Sequence, residues 1–473
     1  MFTDKQFPAT KQIIGEIESE IPSSLLFLRP NEFLEKEQLF EENIKPTEIK
    51  QGQLGDCYFI SSLAAIAEQP KRIQKMIKSL GNGKYQVNLY YNGKYQEVII
   101  DDLVPCVDEK PFFSYNEGNA CWVSLIEKAY AKVNGNYANM EGGMPIITLS
   151  DLTGMPVKKH MISEFNEKEL FNKVQSYCKK NYCVSSFVPE VENENKENEY
   201  GLLDEHSYTI LGAYEIDNHL LFKIRDFWGE CKWKGKWNWN DSEWTEERKK
   251  KLNVDTNDSY FFIEIDDFMK HFEDLVVVYY KDNWNHFSSK QFQMKDKQMT
   301  IEFEAEDESV FTITQDRDND RIGLKMWCID ENNLSIGGIS HKAFTNSFVM
   351  RGQTLKLKER GKYRIVIETH TSFMSKLPVD LVLSVRSNQP VNFGEVKQID
   401  ATKRIAFVDK KDAENAEKCP VCGIVVPAKG VAKTSIGTFH IQCFVCSECG
   451  KQLTGEFMRK GEKIVCTECG GKK

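Results

Sequence analysis

The chain has 473 residues and a formal net charge of −9, from 62 Lys and Arg against 71 Asp and Glu. This length suits three or four domains, and the acidic balance excludes the basic surface that nucleic-acid binding needs. No apolar run approaches the length of a membrane helix, and the first residues lack the apolar core of a signal peptide, so we expect a cytoplasmic protein.

The first informative element is an apolar helix predicted to begin at Cys57, with Asp56 as its N-cap. A helix start stabilises a thiolate, and the Gln51 side-chain amide together with the Cys57 N–H could hold an oxyanion. The pattern predicts a thiol nucleophile. Taken alone, it also fits a buried structural cysteine.

A β-hairpin is predicted between His206 and Asp226, with its turn at Asp217-Asn218. The returning strand would bring Asp226 beside His206. A cysteine nucleophile needs an imidazole base, and the imidazole needs an orienting acceptor. The hairpin therefore predicts the other two members of a triad with Cys57.

Short runs of alternating polar and apolar residues from about 284 to 393 predict an antiparallel β-sandwich of about eight strands. The stretch resembles a C2-like domain. This resemblance implies that an acidic run within it, 304–320, binds calcium or phospholipid headgroups, and the alternative is a solvated loop. The charged stretch 396–417 is predicted to be a linker.

The C-terminal segment has the most specific pattern in the chain, with seven of the 14 cysteines. The ligand pairs, each separated by two residues, are Cys419 and Cys422, His440 and Cys443, Cys446 and Cys449, and Cys466 and Cys469. Such pairs let one tight turn present two ligands to tetrahedral zinc, so we predict two structural zinc ions. The first site has three thiolates and one imidazole, and the second has four thiolates. A segment this short has little apolar core, so zinc would supply its folding energy.

Most of the chain resembles the calpain family of intracellular cysteine proteases. The segments that carry the resemblance are 51–65, 118–135 and the strand at His206. The family pattern implies Cys57 as nucleophile and His206 as general base and then acid. It also implies Gln51 in the oxyanion hole and Trp228 as an aromatic shield over the contact between imidazole and acceptor.

One departure from the family lies in the triad itself. Calpains usually have asparagine and proline where this chain has Asp226 and Phe227. A carboxylate accepts the imidazole N–H at least as well as an amide, so we expect the triad to be competent.

The resemblance also implies regulatory calcium sites in each half of the protease core. In the first half, Glu127 matches a calcium-binding glutamate and Glu48 takes the position of an aspartate ligand, although both also fit solvated surface carboxylates. In the second half Asp258 matches one ligand, while other ligand positions hold Lys232, Trp239 and Tyr260. We expect the second site to be lost or weakened.

The cysteine pattern resembles a single LIM domain, which docks proteins, and the sandwich resembles the C2-like domain of calpains. The sequence has no EF-hand loop, so no small regulatory subunit is expected. The predicted fold class is multidomain α+β with a two-lobed papain-like protease core. The predicted domains are an N-terminal lead (1–20), a helical lobe (21–150), a β lobe (151–282), the C2-like sandwich (283–395), the linker (396–417) and the LIM domain (418–471).

The predicted function is a calcium-responsive endopeptidase that makes limited cuts in protein substrates through an acyl-enzyme on Cys57. The alternative is an idle calpain-fold scaffold that acts through its C2-like and LIM domains. A transglutaminase fits less well, because Gly55-Asp56 follows the calpain pattern. The acidic stretch 188–200 before His206 is either a gate over the cleft or a passive surface loop.

Overall fold

The computed structural model describes residues 1–190, 199–226, 233–254, 260–305, 309–315, 323–330, 334–340, 353–355, 361–369, 376–399, 408–409, 417–421, 426, 431–461 and 463–471. The chain divides into two units, Met1–Asp282 and Asn283–Lys473. Five residues singled out in the sequence lie outside the described residues: Cys422, Phe227, Trp228, Lys232 and Asp258. Most of the acidic stretch 188–200 and parts of the run 304–320 lie outside them too.

The first half of the first unit, called here the helical half, combines helices with small sheets. Its helices are α1 (Pro30–Phe33), α2 (Cys57–Ala67), α3 (Pro70–Met76), α4 (Trp122–Asn134) and α5 (Pro145–Thr153). Its strands are β1 (Leu26–Leu28), β2 (Ile49–Lys50), β3 (Ile77–Gly81), β4 (Lys84–Leu89), β5 (Gln96–Asp101), β6 (Val104–Val107), β7 (Lys110–Pro111) and β8 (Tyr115–Asn116). The strands form sheets with the orders β1-β6-β7, β3-β4-β5 and β2-β8. Helix α2 is buried along nearly its whole length, which explains its apolar sequence.

The first twenty residues pack on the helical half. The Asp4 N–H donates to the carboxylate of Asp101 at 2.7 Å, and the Asp4 carboxylate pairs with Lys132 at 2.6 Å. Ile14 is fully buried, and its carbonyl accepts the N–H of Ala138 at 2.8 Å. Buried ionic and main-chain contacts thus join the predicted N-terminal lead (1–20) to the helical half.

The second half, called here the β half, is built on one antiparallel sheet. Its strands are β9 (Val157–Met161), β10 (Cys183–Val188), β11 (His206–Ile216), β12 (His219–Arg225), β13 (Tyr260–Glu264) and β14 (Asp274–Val278). Its helices are α6 (Glu167–Lys179), α7 (Glu246–Lys251) and α8 (Ile265–His271). The strand order is β13-β12-β11-β10-β14-β9. Within the described residues no helix is long and apolar enough to cross a membrane.

The predicted hairpin is confirmed as β11 and β12. Its turn residues Asp217 and Asn218 have φ angles of 47° and 70°, which match the two left-handed positions of a type I′ turn. This turn suits the twist of adjacent strands, so the hairpin closes tightly. On the other side of β11, Val188 of β10 pairs with His206. His206 is therefore paired with β10, whereas the pairing of β11 with β12 begins at Thr209.

The second unit begins with two packed antiparallel sheets. Their strands are β15 (His286–Met294), β16 (Gln298–Ala305), β17 (Ser309–Gln315), β18 (Leu324–Ile329), β19 (Leu334–Ser340), β20 (Gln353–Leu355), β21 (Gly361–Thr369), β22 (Val379–Ser387), β23 (Asn392–Ile399) and β24 (Val408–Asp409). The orders are β15-β22-β17-β20 and β23-β16-β21-β18-β19-β24. Strand β23 continues past residue 395, and β24 pairs in parallel with β19. The structure therefore differs from the predicted linker 396–417, because part of that stretch joins the sheet.

The C-terminal region contains two small hairpins and a final turn of helix. The elements are β25 (Val431–Thr434), β26 (Gly437–His440), β27 (Phe457–Lys460), β28 (Lys463–Cys466) and α9 (Thr467–Gly470). The described core here is small and includes three of the cysteines predicted as ligands: Cys419, Cys446 and Cys466.

Candidate active site and metal centres

The turn before α2 places Cys57 at the helix start. A Cβ at Gly52 would lie 2.3 Å from the Phe113 carbonyl oxygen, so this close approach of two backbones requires glycine. The Gln51 side-chain amide donates to the Leu54 carbonyl at 2.8 Å, which fixes the orientation of the amide. Gln51 and Cys57 thus lie at the two ends of one tight turn.

Asp56 occupies the predicted N-cap position, but its side chain does not cap the helix. Its main-chain carbonyl accepts the N–H groups of Phe59 at 2.8 Å and Ile60 at 3.1 Å, whereas its carboxyl makes no cap hydrogen bond. The carboxyl instead lies in the interior, beside that of Glu127. The predicted capping contact is therefore wrong, since this buried neighbour takes the carboxyl away from the helix.

His206 and Asp226 meet at the end of the hairpin. The Nε2 atom of His206 lies 3.1 Å from Oδ1 of Asp226, and both residues are 3% exposed. The Tyr208 ring makes an edge contact with the imidazole, with ring centroids 4.9 Å apart. The predicted pairing is thus present, and Nε2 is the imidazole nitrogen that contacts the acceptor.

Helix α2 packs against strand β11, so the elements that carry Cys57 and His206 are neighbours. Burial, followed by the carboxylates of Asp56 and Glu205, raises the pKa of the Cys57 thiol. Backbone N–H groups at the helix start lower this pKa, but their effect is smaller. The helix start favours the thiolate, as the sequence indicates, but burial and the two carboxylates outweigh it, so ionisation needs a partner such as His206.

Asp56 and Glu127 form a buried pair of carboxyl groups. Asp56 is fully buried and Glu127 is 1% exposed. Both oxygens of Glu127 accept the Ser114 N–H, at 3.1 and 3.2 Å. Burial raises the pKa of Glu127 to about 7, and burial together with the Glu127 charge raises the pKa of Asp56 well above its usual range. Two carboxyl groups so placed favour sharing a proton.

The predicted calcium ligands of the first half have different contacts. Glu48 pairs with Lys45 at 2.8 Å, in the turn before β2, whereas Glu127 lies in the interior beside Asp56. In the β half, Tyr260 is buried and its ring contacts that of Trp239, with centroids 5.8 Å apart. These two positions therefore belong to an aromatic core cluster, while Asp258 and Lys232 lie outside the described residues.

The cysteines of the C-terminal region converge on two centres. One group holds Cys446, Cys449, Cys466 and Cys469, and the other holds Cys419, His440 and Cys443, with the ligand atoms of each group within 4.8 Å of one another. Cys422, the predicted fourth ligand of the centre with Cys419, His440 and Cys443, lies outside the described residues. Four thiols at this spacing match the donor set of a structural zinc site. Among the described residues, two groups of three or more His, Cys, Asp or Glu side chains could hold a metal ion, and they are these two.

Residues 2–279 match the model of the calpain family cysteine protease, and residues 419–473 match that of the LIM domain. The first match spans more than half of the chain. The chain belongs to the calpain family of cysteine proteases. The predicted fold class is thereby confirmed, with a calpain protease core, antiparallel sheets and a LIM domain in one chain.

Several calpains are similar to part of this chain. The calpain-type cysteine protease DEK1 of Arabidopsis thaliana is 29% identical over 299 residues, which is 58% of this chain and 14% of the relative. ADL1 of Oryza sativa is 30% identical over 301 residues, again 58% and 14%. Calpain-9 of Mus musculus is 27% identical over 295 residues, which is 59% of this chain and 42% of calpain-9. The chain thus matches less than half the length of these relatives.

Sequence reasoning missed two acidic residues at this site. Asp56 was assigned to the helix cap, and Glu205 was not considered although it influences the Cys57 thiol. A signal for the buried pair was present in α4, where Glu127 follows Leu125 and Ile126 in a largely apolar helix. A carboxylate on an apolar helix face indicates a buried polar contact.

Proposed function

We propose that this calpain is an active cysteine endopeptidase that cuts protein substrates through a triad of Cys57, His206 and Asp226. The observation that carries the proposal is the buried contact between His206 Nε2 and Asp226 Oδ1 at 3.1 Å, on a strand packed against the Cys57 helix. A buried acceptor fixes the imidazole orientation and stabilises its protonated form.

In the first half-reaction, Nδ1 of His206 takes the Cys57 proton and the thiolate attacks the peptide carbonyl carbon. The oxyanion so formed would accept hydrogen bonds from the Cys57 N–H and the Gln51 amide. As the carbon–nitrogen bond breaks, His206 returns the proton to the leaving amine and a thioester remains on Cys57. Asp226 keeps the imidazole in place throughout.

In the second half-reaction, His206 takes a proton from water and the hydroxide attacks the thioester carbonyl. The carbon–sulfur bond breaks, the carboxylic acid product leaves, and the proton returns to the Cys57 sulfur. The nucleophile and the base are then restored.

Calcium responsiveness is part of the proposal, with Glu48 and Glu127 as ligands of the first site. The buried carboxyl groups of Asp56 and Glu127 support this part of the proposal, because a hard cation favours carboxylate oxygens as ligands. The aromatic packing of Trp239 and Tyr260 supports the loss of the second site.

The LIM domain fits zinc, and LIM domains mediate protein interactions, so we infer that it selects a target or location for the protease. Phospholipid contact by the C2-like sandwich and independence from a small regulatory subunit belong to the same proposal. None of the twelve cysteines among the described residues is in a disulfide, which supports a cytoplasmic setting.

A catalytically idle scaffold is the second candidate. The observation in its favour is that burial and two carboxylates raise the pKa of Cys57, which keeps the thiol protonated unless His206 accepts its proton. The protease and the scaffold differ in whether the core cleaves peptide bonds.

The deciding experiment is casein cleavage across a calcium titration, with Cys57→Ala as the matched control. Calcium-dependent cleavage that is lost in Cys57→Ala supports the protease. If the wild-type protein leaves casein intact at every calcium concentration, the scaffold function is supported.

A further inference from the structure

Two arginines cross the seam between the helical half and the β half of the protease core. Arg72 belongs to α3, which follows the Cys57 helix, and Arg225 is the last residue of β12, next to Asp226. Their side chains are 2% and 8% exposed, so both guanidinium groups lie in the interior. One arginine comes from each half, and each makes an ion pair with the other half.

Arg72 binds the edge of the β half through several contacts. Its Nη2 donates to the Asn181 carbonyl at 2.7 Å and its Nη1 donates to Sγ of Cys183 at 3.3 Å. The guanidinium carbon lies 3.9 Å from the centre of the Tyr280 ring, and Nε is 3.6 Å from the Asp282 carboxylate. One planar side chain thus holds two separate segments of the β half.

The Arg72 contacts are connected to His206 through strand β10. Cys183 is the first residue of β10, and Val188, its last residue, pairs with His206. A strand transmits a displacement along its length because its hydrogen bonds hold it rigidly in the sheet. A shift at Cys183 would therefore move the strand that supports the imidazole.

Arg225 forms the second bridge, in the opposite direction. Its Nη1 lies 3.3 Å from the carboxylate of Glu68, the residue that directly follows α2. A carboxylate at the C-terminal end of a helix is unfavourable with the helix dipole, and a cation beside it offsets that effect. The far end of the Cys57 helix is thus paired with the residue next to Asp226.

The packing between these contacts is incomplete. A cavity of about 110 Å³ lies in the seam, lined by Glu68 and Arg72 from the helical half and by Cys183, Thr209 and Leu211 among residues from the β half. At this pocket the two halves are not in close side-chain contact. Directional contacts of the buried guanidinium groups can define the orientation of the two halves.

We propose that Arg72 and Arg225 are positioning residues that hold the β half at the orientation in which His206 reaches Cys57. The inference rests on the proposed function, since it assigns these residues a role in forming the Cys57 and His206 pair. Neither arginine contacts the reacting atoms. Arg72 acts through β10. Arg225 acts through α2 and through its own position next to Asp226.

The test is the rate at which iodoacetamide alkylates Cys57 with calcium present, measured on the Cys57 peptide by mass spectrometry from about pH 5 to about pH 9. The variants are Arg72→Met and Glu68→Gln. Glu68→Gln removes only a charge from a half-buried side chain, so it tests the second bridge with little risk to folding. The matched control is Arg29→Met, which breaks the ion pair between Arg29 and Asp102 within the helical half.

In the wild type, a thiolate stabilised by imidazolium should be alkylated already at about pH 6. We expect each seam variant to lose roughly 10- to 100-fold of this rate, because a displacement of about 1 Å can cost about 100-fold. The rate at about pH 9, where the thiol ionises without help, should be unchanged. Arg72→Lys should recover part of the loss, and Arg29→Met should keep the wild-type profile.

Wild-type profiles in both Arg72→Met and Glu68→Gln would overturn the inference, as would an equal loss in Arg29→Met. Thermal melting of each variant verifies that it is folded at the assay temperature. A wild type without alkylation at about pH 6 would remove the proposed function and this inference together. That result differs from a normal wild type with insensitive variants, which removes the inference alone.

Discussion

Cysteine has opposite roles in the protease core and in the LIM domain. In the core, burial raises the pKa of Cys106, Cys121 and Cys178 to about 12 each. In the LIM domain, burial also raises the pKa of Cys446, but backbone N–H groups outweigh it and lower the value to about 6, whereas the neighbouring thiols of Cys466 and Cys449 raise the pKa of Cys469 to about 12. The environment, rather than the residue type, decides whether a thiol acts as a small apolar side chain or as a metal ligand.

The two regions also differ in what stabilises them. The core buries a large apolar cluster in its β half and a fully buried ion pair between Lys128 and Asp101. The described LIM core is small, and some of its members are themselves candidate ligands. Stability should therefore depend on side-chain packing in the core and on zinc in the LIM domain.

Zinc removal should have the largest effect and should be confined to the LIM domain. Structural zinc contributes about 10–16 kcal/mol of apparent binding free energy, which a core this small cannot replace. We expect chelation to abolish hydrogen-exchange protection in 431–471 and to leave α2 protected. Cys449→Ser should lower the zinc content, whereas Cys178→Ser, a core control, should not. Protection of 431–471 that survives complete zinc loss would contradict the comparison.

A substitution in the apolar core should destabilise the protease core and leave the LIM domain unaffected. Leu63 in α2 is 0% exposed, so Leu63→Ala should lower the free energy of unfolding of the core by about 2–5 kcal/mol. Leu80, which is 44% exposed, provides the control, and Leu80→Ala should change this quantity by about 0.5 kcal/mol or less. Hydrogen exchange of α2 measures the effect, and the zinc content should stay constant in both variants. Equal destabilisation by both substitutions would refute the packing account.

The smallest expected effect is a pH dependence of core stability at His271. The imidazole lies against the Tyr200 ring, with centroids 4.6 Å apart. Burial and then Lys270 lower its pKa from the ordinary 6.5, although Asp267 and Glu199 partly oppose this. The unfolded chain therefore binds the proton more tightly than the folded core.

The contribution of neutral His271 to the free energy of unfolding should be fully present above about pH 6.5. It should decline as the pH falls through the lowered pKa that His271 has in the folded core. His271→Gln should flatten this part of the stability curve, measured by urea unfolding of the core with zinc held saturating. An unchanged curve in His271→Gln would show that other groups cause the dependence.

Local patterns in the sequence predicted much of the fold and of the site. The hairpin followed from Asp217-Asn218, and the pairing of His206 with Asp226 followed from the hairpin. The metal centres followed from the two-residue gaps between ligands. Each of these features depends on residues that are close in the chain or on a periodic pattern.

The features that sequence reasoning missed depend on tertiary neighbours. The Asp56 carboxyl turns away from the helix because Glu127, some seventy residues later, lies beside it. Arg72 is an ordinary surface residue of a short helix until the β half covers it. Strand β24 lies in a stretch too polar to predict as part of a sheet, and its pairing with β19 is long-range.

The central claim is that Cys57 forms an acyl-enzyme with His206 as its base. The most direct measurement is intact mass spectrometry of the protein, with calcium present, during turnover of a rapidly acylating peptide ester, followed by mapping of the modified peptide. We expect one acyl group on Cys57 in the wild type, its loss in Cys57→Ala, and strongly slowed acylation in His206→Ala. A wild-type protein that hydrolyses the ester without an adduct on Cys57, or that never forms one, would contradict the account.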